Sequence, residues 1–157
     1  MARKSKLELK VEEVLKELFP NCKISHNFSI GKGYKVDFVV HSVYDIAVEC
    51  HGEQHFKYIK YFHDDQAGWF EQMKRDEEKY QMVLDSGMPY VEIYYDEPIN
   101  KDTIFRKINK AIDIYNWSRA RGDYRPDQFY RDLEVANFRR KSYFVKAKLD
   151  AEKEEEK

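Results

Sequence analysis

The sequence predicts a mixed α/β (α+β) fold: an opening helix, three strands, a helix and a fourth strand, followed by a helical appendage. Three observations carry this expectation. Apolar residues near the amino end recur at helical spacing. The period then shortens to two over three β-branched and aromatic runs separated by turn residues. A second helical stretch stands between the third run and a fourth, the order of a sheet layered with helices.

Ser5-Lys6-Leu7-Glu8 has the S-x-x-E form of a capping box, and Leu7, Val11, Val14, Leu15 and Leu18 continue on one helical face until Pro20 and Asn21 end it. Residues 24–30 read as a strand, Gly31-Lys32-Gly33 as a turn and residues 34–40 as a second strand. After the turn at His41-Ser42, residues 44–50 form a third strand, in which Ile46 and Val48 alternate with Ala47 and Glu49. Residues 51–68 are polar, aromatic and irregular. A helix over 70–84 stops at Ser86-Gly87, and residues 90–95 make the fourth strand. Pro98-Ile99-Asn100 is a break, beyond which 103–118 and 126–148 are expected as helices separated by Arg121-Gly122-Asp123. The chain thus divides into a core over 1–98, a helical appendage packed on it over 99–148 and an acidic tail over 149–157, expected to be disordered. It has no internal repeat.

The 157 residues are 42% hydrophobic, 36% charged and 15% aromatic, the composition of one globular domain. At this length a fold buries roughly 68–70% of its unfolded surface, so neither disulfides nor a structural metal is needed to hold it. Two cysteines, Cys22 and Cys50, exclude a disulfide-rich scaffold and a four-thiolate zinc module, and point to a reduced, cytoplasmic setting. Apolar runs are short and no apolar stretch follows the charges of the first six residues, so no membrane span or secretory signal is expected. The formal charge of −1 conceals an uneven distribution: residues 100–148 carry 13 Lys and Arg against 6 Asp and Glu, and the tail 2 against 5. Charges beyond about 8 Å are screened at physiological salt, so a polyanion responds to the local patch. The same surplus also fits a solvated helical face.

Val36-Asp37-Phe38 places a carboxylate inside an apolar strand. Burying it ionised costs on the order of several kcal/mol unless it is paired or bound to a metal. Asp37 either caps a turn, pairs with a lysine, or joins Glu49 from the next strand around a divalent cation that relieves their repulsion. Glu49 and His51 share a face of that strand; Cys50 points to the other, with its carbonyl still directed at the cation. An imidazole at His51 can accept a proton near neutral pH. Gly52 permits a sharp turn, and His55 follows at i+4 as a second acid–base group. A zinc site competes through Cys22, Cys50, His51, His55 and His63, but no C-x-x-C partner accompanies His51-x-x-x-His55. His26 and His41 stand alone at strand ends and read as surface or satisfied core residues.

This order of motifs resembles the PD-(D/E)XK nuclease superfamily, with His51 where a lysine is usual. It is most similar to the very-short-patch-repair endonucleases and the phage-type homing endonucleases related to them. The likeness spans residues 5–96: Ser5-Lys6-Leu7-Glu8-Leu9-Lys10-Val11 as the opening helix with its acidic residue, Val36-Asp37-Phe38 as the metal-aspartate strand, Cys50-His51-Gly52 and His55 as the histidine motif, and Lys74-Arg75-Asp76 through Val91-Glu92-Ile93-Tyr94 as the later helix and strand. The resemblance implies a restriction-endonuclease-like core and a Mg²⁺ ion, with Mn²⁺ as an alternative. It makes Asp37 the principal ligand, the Cys50 carbonyl a second, and Glu8 a partner for a metal-bound water. Glu49 matches the acidic ligand of the wider superfamily, whereas the repair members are apolar there. His51 and His55 would activate water and assist phosphate departure. No cysteines match the repair enzymes' zinc cluster.

The implied activity is metal-dependent hydrolysis of DNA in a bacterial or phage-infected cell, with no membrane partner and either a monomer or a homodimer. A carboxylate-bound Mg²⁺ beside an imidazole supports phosphodiester cleavage without a protein nucleophile. Lys74, Arg75 and Lys79 can grip phosphate or orient the site, or pair along their own helix. Arg119, Arg121, Arg139, Arg140 and Lys141, interleaved with aromatics, have the composition of a phosphate-tracking surface. The alternatives are a non-catalytic nucleic-acid-binding or assembly module on the same fold, and a junction- or RNA-directed nuclease.

Overall fold

In the computed structural model, which describes residues 3–52, 66–119 and 153, helix α1 (Lys6–Leu18) begins where Ser5 lies in extended backbone and its hydroxyl accepts the Glu8 N–H at 3.1 Å. This satisfies one of the N–H groups that a helix start leaves without a partner. Val11 and Leu15, one turn apart, are fully buried, and the helix ends before Pro20.

Strands β1 (Lys23–Gly31) and β2 (Tyr34–His41) form a hairpin. Its two-residue tip, Lys32-Gly33, has φ of +51° and +80°. This doubly left-handed turn suits the twist of a tight hairpin. Strand β3 (Asp45–His51) continues the antiparallel run, helix α2 (Gln66–Asp85) crosses over, and β4 (Tyr90–Tyr94) returns parallel to β3. The sheet order is β1-β2-β3-β4. Helix α3 (Lys101–Arg119) follows. The architecture is therefore mixed α/β with a four-stranded mixed sheet, and each element lies within a few residues of its sequence-based expectation. The helix expected over 126–148 lies outside the described residues, as does the tail apart from 153.

Alternation along the strands builds two cores. Phe38, Val40, Ile46, Val48, Val91 and Ile93 pack with Val11 and Leu15 of α1 and Ile104, Ile108 and Ala111 of α3. On the other face Val39, Ala47 and Tyr90 pack with Tyr80, Val83 and Leu84 of α2. The sheet is thus sandwiched between α1 with α3 on one face and α2 on the other. Helix α3, expected as the start of an appendage, supplies side chains to the same apolar cluster as α1 and the sheet.

One irregularity bears on function. Val36 packs with the α2 cluster although it stands two residues from Phe38, which packs with the other. In β1 the same reversal separates Ile24 from Phe28. Both strands turn over around Asn27, whose φ of +52° is left-handed, and Asp37, which lies between the pairs His26↔Phe38 and Phe28↔Val36. The carboxylate that stands out in the sequence therefore sits where the pleat changes sides.

At the far edge of the sheet, outward groups of β4 are covered by side chains. Lys107 Nζ donates to the Glu92 carbonyl at 2.9 Å, and the Tyr94 N–H donates to Glu97 Oε1 at 3.1 Å. No helix among the described residues is long and apolar enough to cross a membrane. Ile104 is fully buried, so Ile104→Ala is expected to lower stability by about 2–5 kcal/mol. Urea denaturation checks this, and a loss within experimental error would show that α3 is dispensable to the core.

Candidate functional site

The β2–β3 ladder runs from His41↔Asp45 to Phe38↔Val48 and stops. The next two residues in register are Asp37 and Glu49. Ala47 donates its N–H to the Pro89 carbonyl at 2.9 Å, and the His51 carbonyl accepts from Tyr95 N–H at 2.9 Å, so the odd-numbered residues of β3 turn their main chain to β4. Cys50 consequently turns its main chain to β2. Its N–H donates to Asp37 Oδ2 at 2.7 Å. The aspartate thus replaces a backbone acceptor where the two strands part, and the Cys50 carbonyl, on the same side of its residue as the N–H, faces the same gap.

The Cys50 side chain packs against the α1–α3 core. Burial foremost, then the charges of Asp37, Glu49 and Glu8, pushes its thiol far up. These surroundings favour the neutral thiol.

Glu49 projects to the α2 face and is 8% exposed. Lys79 of α2 forms a close ion pair with it, and the Tyr90 hydroxyl donates to Oε2 at 3.5 Å. Burial is the main force raising the Glu49 carboxyl well above the usual range, and the adjoining Asp37 carboxylate adds to it, with Lys79 opposing both. The structure thus brings Asp37 and Glu49 together. His51, next on that face, stacks on Tyr94 with ring centroids 4.9 Å apart and planes 23° from parallel.

Glu8 lies on the opposite side of the sheet, on α1. Its carboxylate meets His26 Nε2 at 2.9 Å, and the His26 ring leans on Phe38 at 5.3 Å. The Glu8 side chain therefore serves a histidine of β1, while Ser5 caps the helix. Its charge nevertheless reaches the Cys50 thiol.

Among the expected phosphate-binding cations, Lys74 and Arg75 are exposed, and the Arg75 guanidinium lies 5.6 Å from the centre of the Tyr34 ring. Lys32 and Lys35 of the hairpin are also exposed. Lys79 turns inward and pairs with Glu49. Arg119 Nη2 donates to the carbonyls of Leu84 and Asp85 at 2.9 and 3.3 Å, closing the end of α2. His55, Arg121, Arg139, Arg140 and Lys141 lie outside the described residues.

Three residues of the site are missing from the sequence-based set: Tyr90, Glu92 and Tyr94. They alternate along β4 and fall opposite Ala47, Glu49 and His51, and the Tyr94 hydroxyl donates to Glu92 at 2.8 Å. Their alternation is readable in the sequence, but the register that sets them beside Glu49 is not.

Asp37, Glu49 and the Cys50 carbonyl all offer hard oxygen donors. Mg²⁺ commonly uses one or two carboxylates and completes its shell with water and substrate phosphate, so these residues fit that ion. Among the described residues no three His, Cys, Asp or Glu side chains converge as a metal-binding group. Comparison with protein-family models, curated proteins and solved structures finds no match to this chain.

Removing Lys79 leaves Glu49 buried without its counter-charge, so Lys79→Met is expected to cost about 3 kcal/mol at neutral pH. A raised carboxyl holds its proton more tightly folded than unfolded. Its favourable contribution is complete below the ordinary value of 4.5 and declines as pH rises through the folded value. The Lys79→Met deficit should therefore shrink as pH falls towards 4.5. Denaturation midpoints across pH check this; a deficit independent of pH would mean that Glu49 does not titrate in that range.

Proposed function

We propose that the chain is a metal-dependent DNA endonuclease with a restriction-endonuclease-like core, in which Asp37, Glu49 and the Cys50 carbonyl hold Mg²⁺ or Mn²⁺. One observation carries this reading. Two carboxylates, one of them buried, are held against each other where β2 and β3 part, an arrangement that costs free energy in a scaffold and that a divalent cation relieves. The order of helix, three antiparallel strands, helix and parallel strand supports it.

When bound, the ion supplies charge neutralisation at the phosphate and an acidified water. The chain's own residues do the rest. Cys50 N–H orients the Asp37 carboxylate, while Lys79 and Tyr90 hold Glu49. Tyr94 fixes the plane of the His51 imidazole, the group that takes a proton as water attacks. The exposed cations Lys32, Lys35, Lys74 and Arg75 offer a phosphate backbone a positive approach: Lys35 lies two residues before Asp37, and Arg75 one helical turn before Lys79.

The Lys79 ion pair favours a second reading, a nucleic-acid-binding or assembly module in which lysine alone balances the carboxylates. Incubating supercoiled plasmid with the protein in Mg²⁺ or EDTA separates the two. The endonuclease reading expects nicking or linearisation that needs Mg²⁺ and is lost in Asp37→Asn. Cleavage that survives Asp37→Asn removes the catalytic assignment, and binding without cleavage selects the module. If the exposed cations contact phosphate, Lys74→Ala and Arg75→Ala each lower the slope of log affinity against log salt by about 0.9. Fluorescence anisotropy measures this slope, and unchanged values exclude these residues from the contact.

A further inference from the structure

A second constellation lies at the other end of β2 from Asp37, and the endonuclease reading does not use it. Ser25 lies on β1, His41 closes β2 and Asp45 opens β3, so three neighbouring strands each contribute one side chain. Ser25 Oγ is 2.8 Å from His41 Nε2, and Asp45 Oδ1 is 3.2 Å from His41 Nδ1. The register produces this grouping. His41 pairs with Asp45 across one ladder and with Lys23 across the other, which makes Ser25 its diagonal neighbour on the same face. Phe28 meets the imidazole edge-on at 5.9 Å and limits its rotation.

The atoms are arranged in a chemically meaningful order. A carboxylate on Nδ1 favours the tautomer that carries its proton there and leaves Nε2 to accept the proton of the serine hydroxyl. A serine so placed is activated by an adjacent base, the requirement for nucleophilic catalysis by a hydroxyl. The side chains of His41 and Asp45 are 29% and 56% exposed, so solvent and small substrates reach them. Among the described residues β1 is an edge strand of the sheet. Alternate N–H groups of an antiparallel edge strand point away from its neighbour. The Ser25 main chain faces Val39 in the β1–β2 ladder, so the N–H groups of its neighbours Ile24 and His26 face outward.

We propose that Ser25, activated by His41 and Asp45, is a nucleophile that accepts acyl groups from activated carboxylic esters. Ser25 Oγ bonds to the acyl carbon as its proton passes to His41 Nε2. The bond from that carbon to the ester oxygen breaks, and the alcohol leaves with the proton held on Nε2. Water then adds to the acyl-serine and gives a proton to Nε2. That proton returns to Ser25 Oγ as the carboxylic acid departs.

The test treats the folded, full-length protein with an alkyl fluorophosphonate. Ser25 Oγ bonds to phosphorus and fluoride leaves, giving a stable adduct that is located by peptide mass mapping. The expected result is one adduct, on Ser25, lost when the protein is heat-denatured before labelling and slowed roughly tenfold or more in His41→Ala and Asp45→Asn. A burst of p-nitrophenol from p-nitrophenyl acetate should accompany it and be absent in Ser25→Ala. EDTA should leave labelling unchanged, which keeps the result separate from the fate of the Asp37 site. No adduct on Ser25 of the unmodified protein overturns the proposal, even where a variant fails to fold. So does labelling of undiminished rate in a folded His41→Ala protein.

Discussion

Where β2 leaves β3, the main chain of Cys50 needs an acceptor that a regular ladder would supply from backbone, and Asp37 supplies it from a side chain at 2.7 Å. Much of the candidate site depends on this substitution. A carboxylate used in this way cannot swing to solvent without stripping the Cys50 N–H of its acceptor at a partly buried position, a loss of about 1–3 kcal/mol. The same geometry points the Cys50 carbonyl into the gap and leaves Glu49 to project from the opposite face to the Cys50 thiol. The reversal of both strands around Asn27 and Asp37 belongs to this constraint, since a pleat that stayed regular would keep Val36 on the face of Phe38.

Glu49 then faces a cost that Asp37 does not. It is nearly fully buried, so desolvation and a neighbouring carboxylate act together to keep its proton on, and Lys79 opposes them. An exposed ion pair contributes about 0–1 kcal/mol, whereas breaking a buried one costs several times that. The position of Lys79 is thus a requirement of the α2–sheet interface. Arg75, one turn earlier, rests on Tyr34 near the hairpin tip, and Tyr80, Val83 and Leu84 pack beneath the next turns. Arg119 takes the final carbonyls of the helix. Contacts at its middle and its end therefore hold α2 in the register that presents Lys79 to Glu49.

The elements are legible in the sequence because each has a local cause: the apolar spacing of α1, the Gly31-Lys32-Gly33 turn, the alternation around Ile46 and Val48. The juxtaposition of Asp37 and Glu49 is also legible, since an antiparallel hairpin with its turn near Ser42 brings them to adjacent rows. What escapes has a tertiary cause. Glu8 fits a capping box, yet its carboxylate is drawn to His26 on β1, a partner eighteen residues away. Lys79 sits in a run of charges from Lys74 to Lys79 that reads as a solvated helix surface, and its spacing of four from the buried Val83 is the one signal that it turns inward. The alternation of Tyr90, Glu92 and Tyr94 is visible, but a parallel strand carries no turn from which its register can be read. His41 looks isolated along the chain because its partners, Ser25 and Asp45, lie on different strands.

The two polar groupings are joined by β2, which carries Asp37 near its start and His41 at its end. Between them Phe38, Val39 and Val40 are fully buried, a continuous apolar stretch of the central sheet. Polar side chains placed there would require partners on both faces, so β2 carries its polar groupings only at its ends. At each end the neighbouring strand supplies the matching acid, Glu49 beyond one limit of the β2–β3 ladder and Asp45 at the other. The ladder spans only four pairs, so a shift of one register position would separate both acids from their partners and turn β3 over at the same time. The apolar pairing of β2 with β3 therefore stabilises the core and sets the separation of the two groupings.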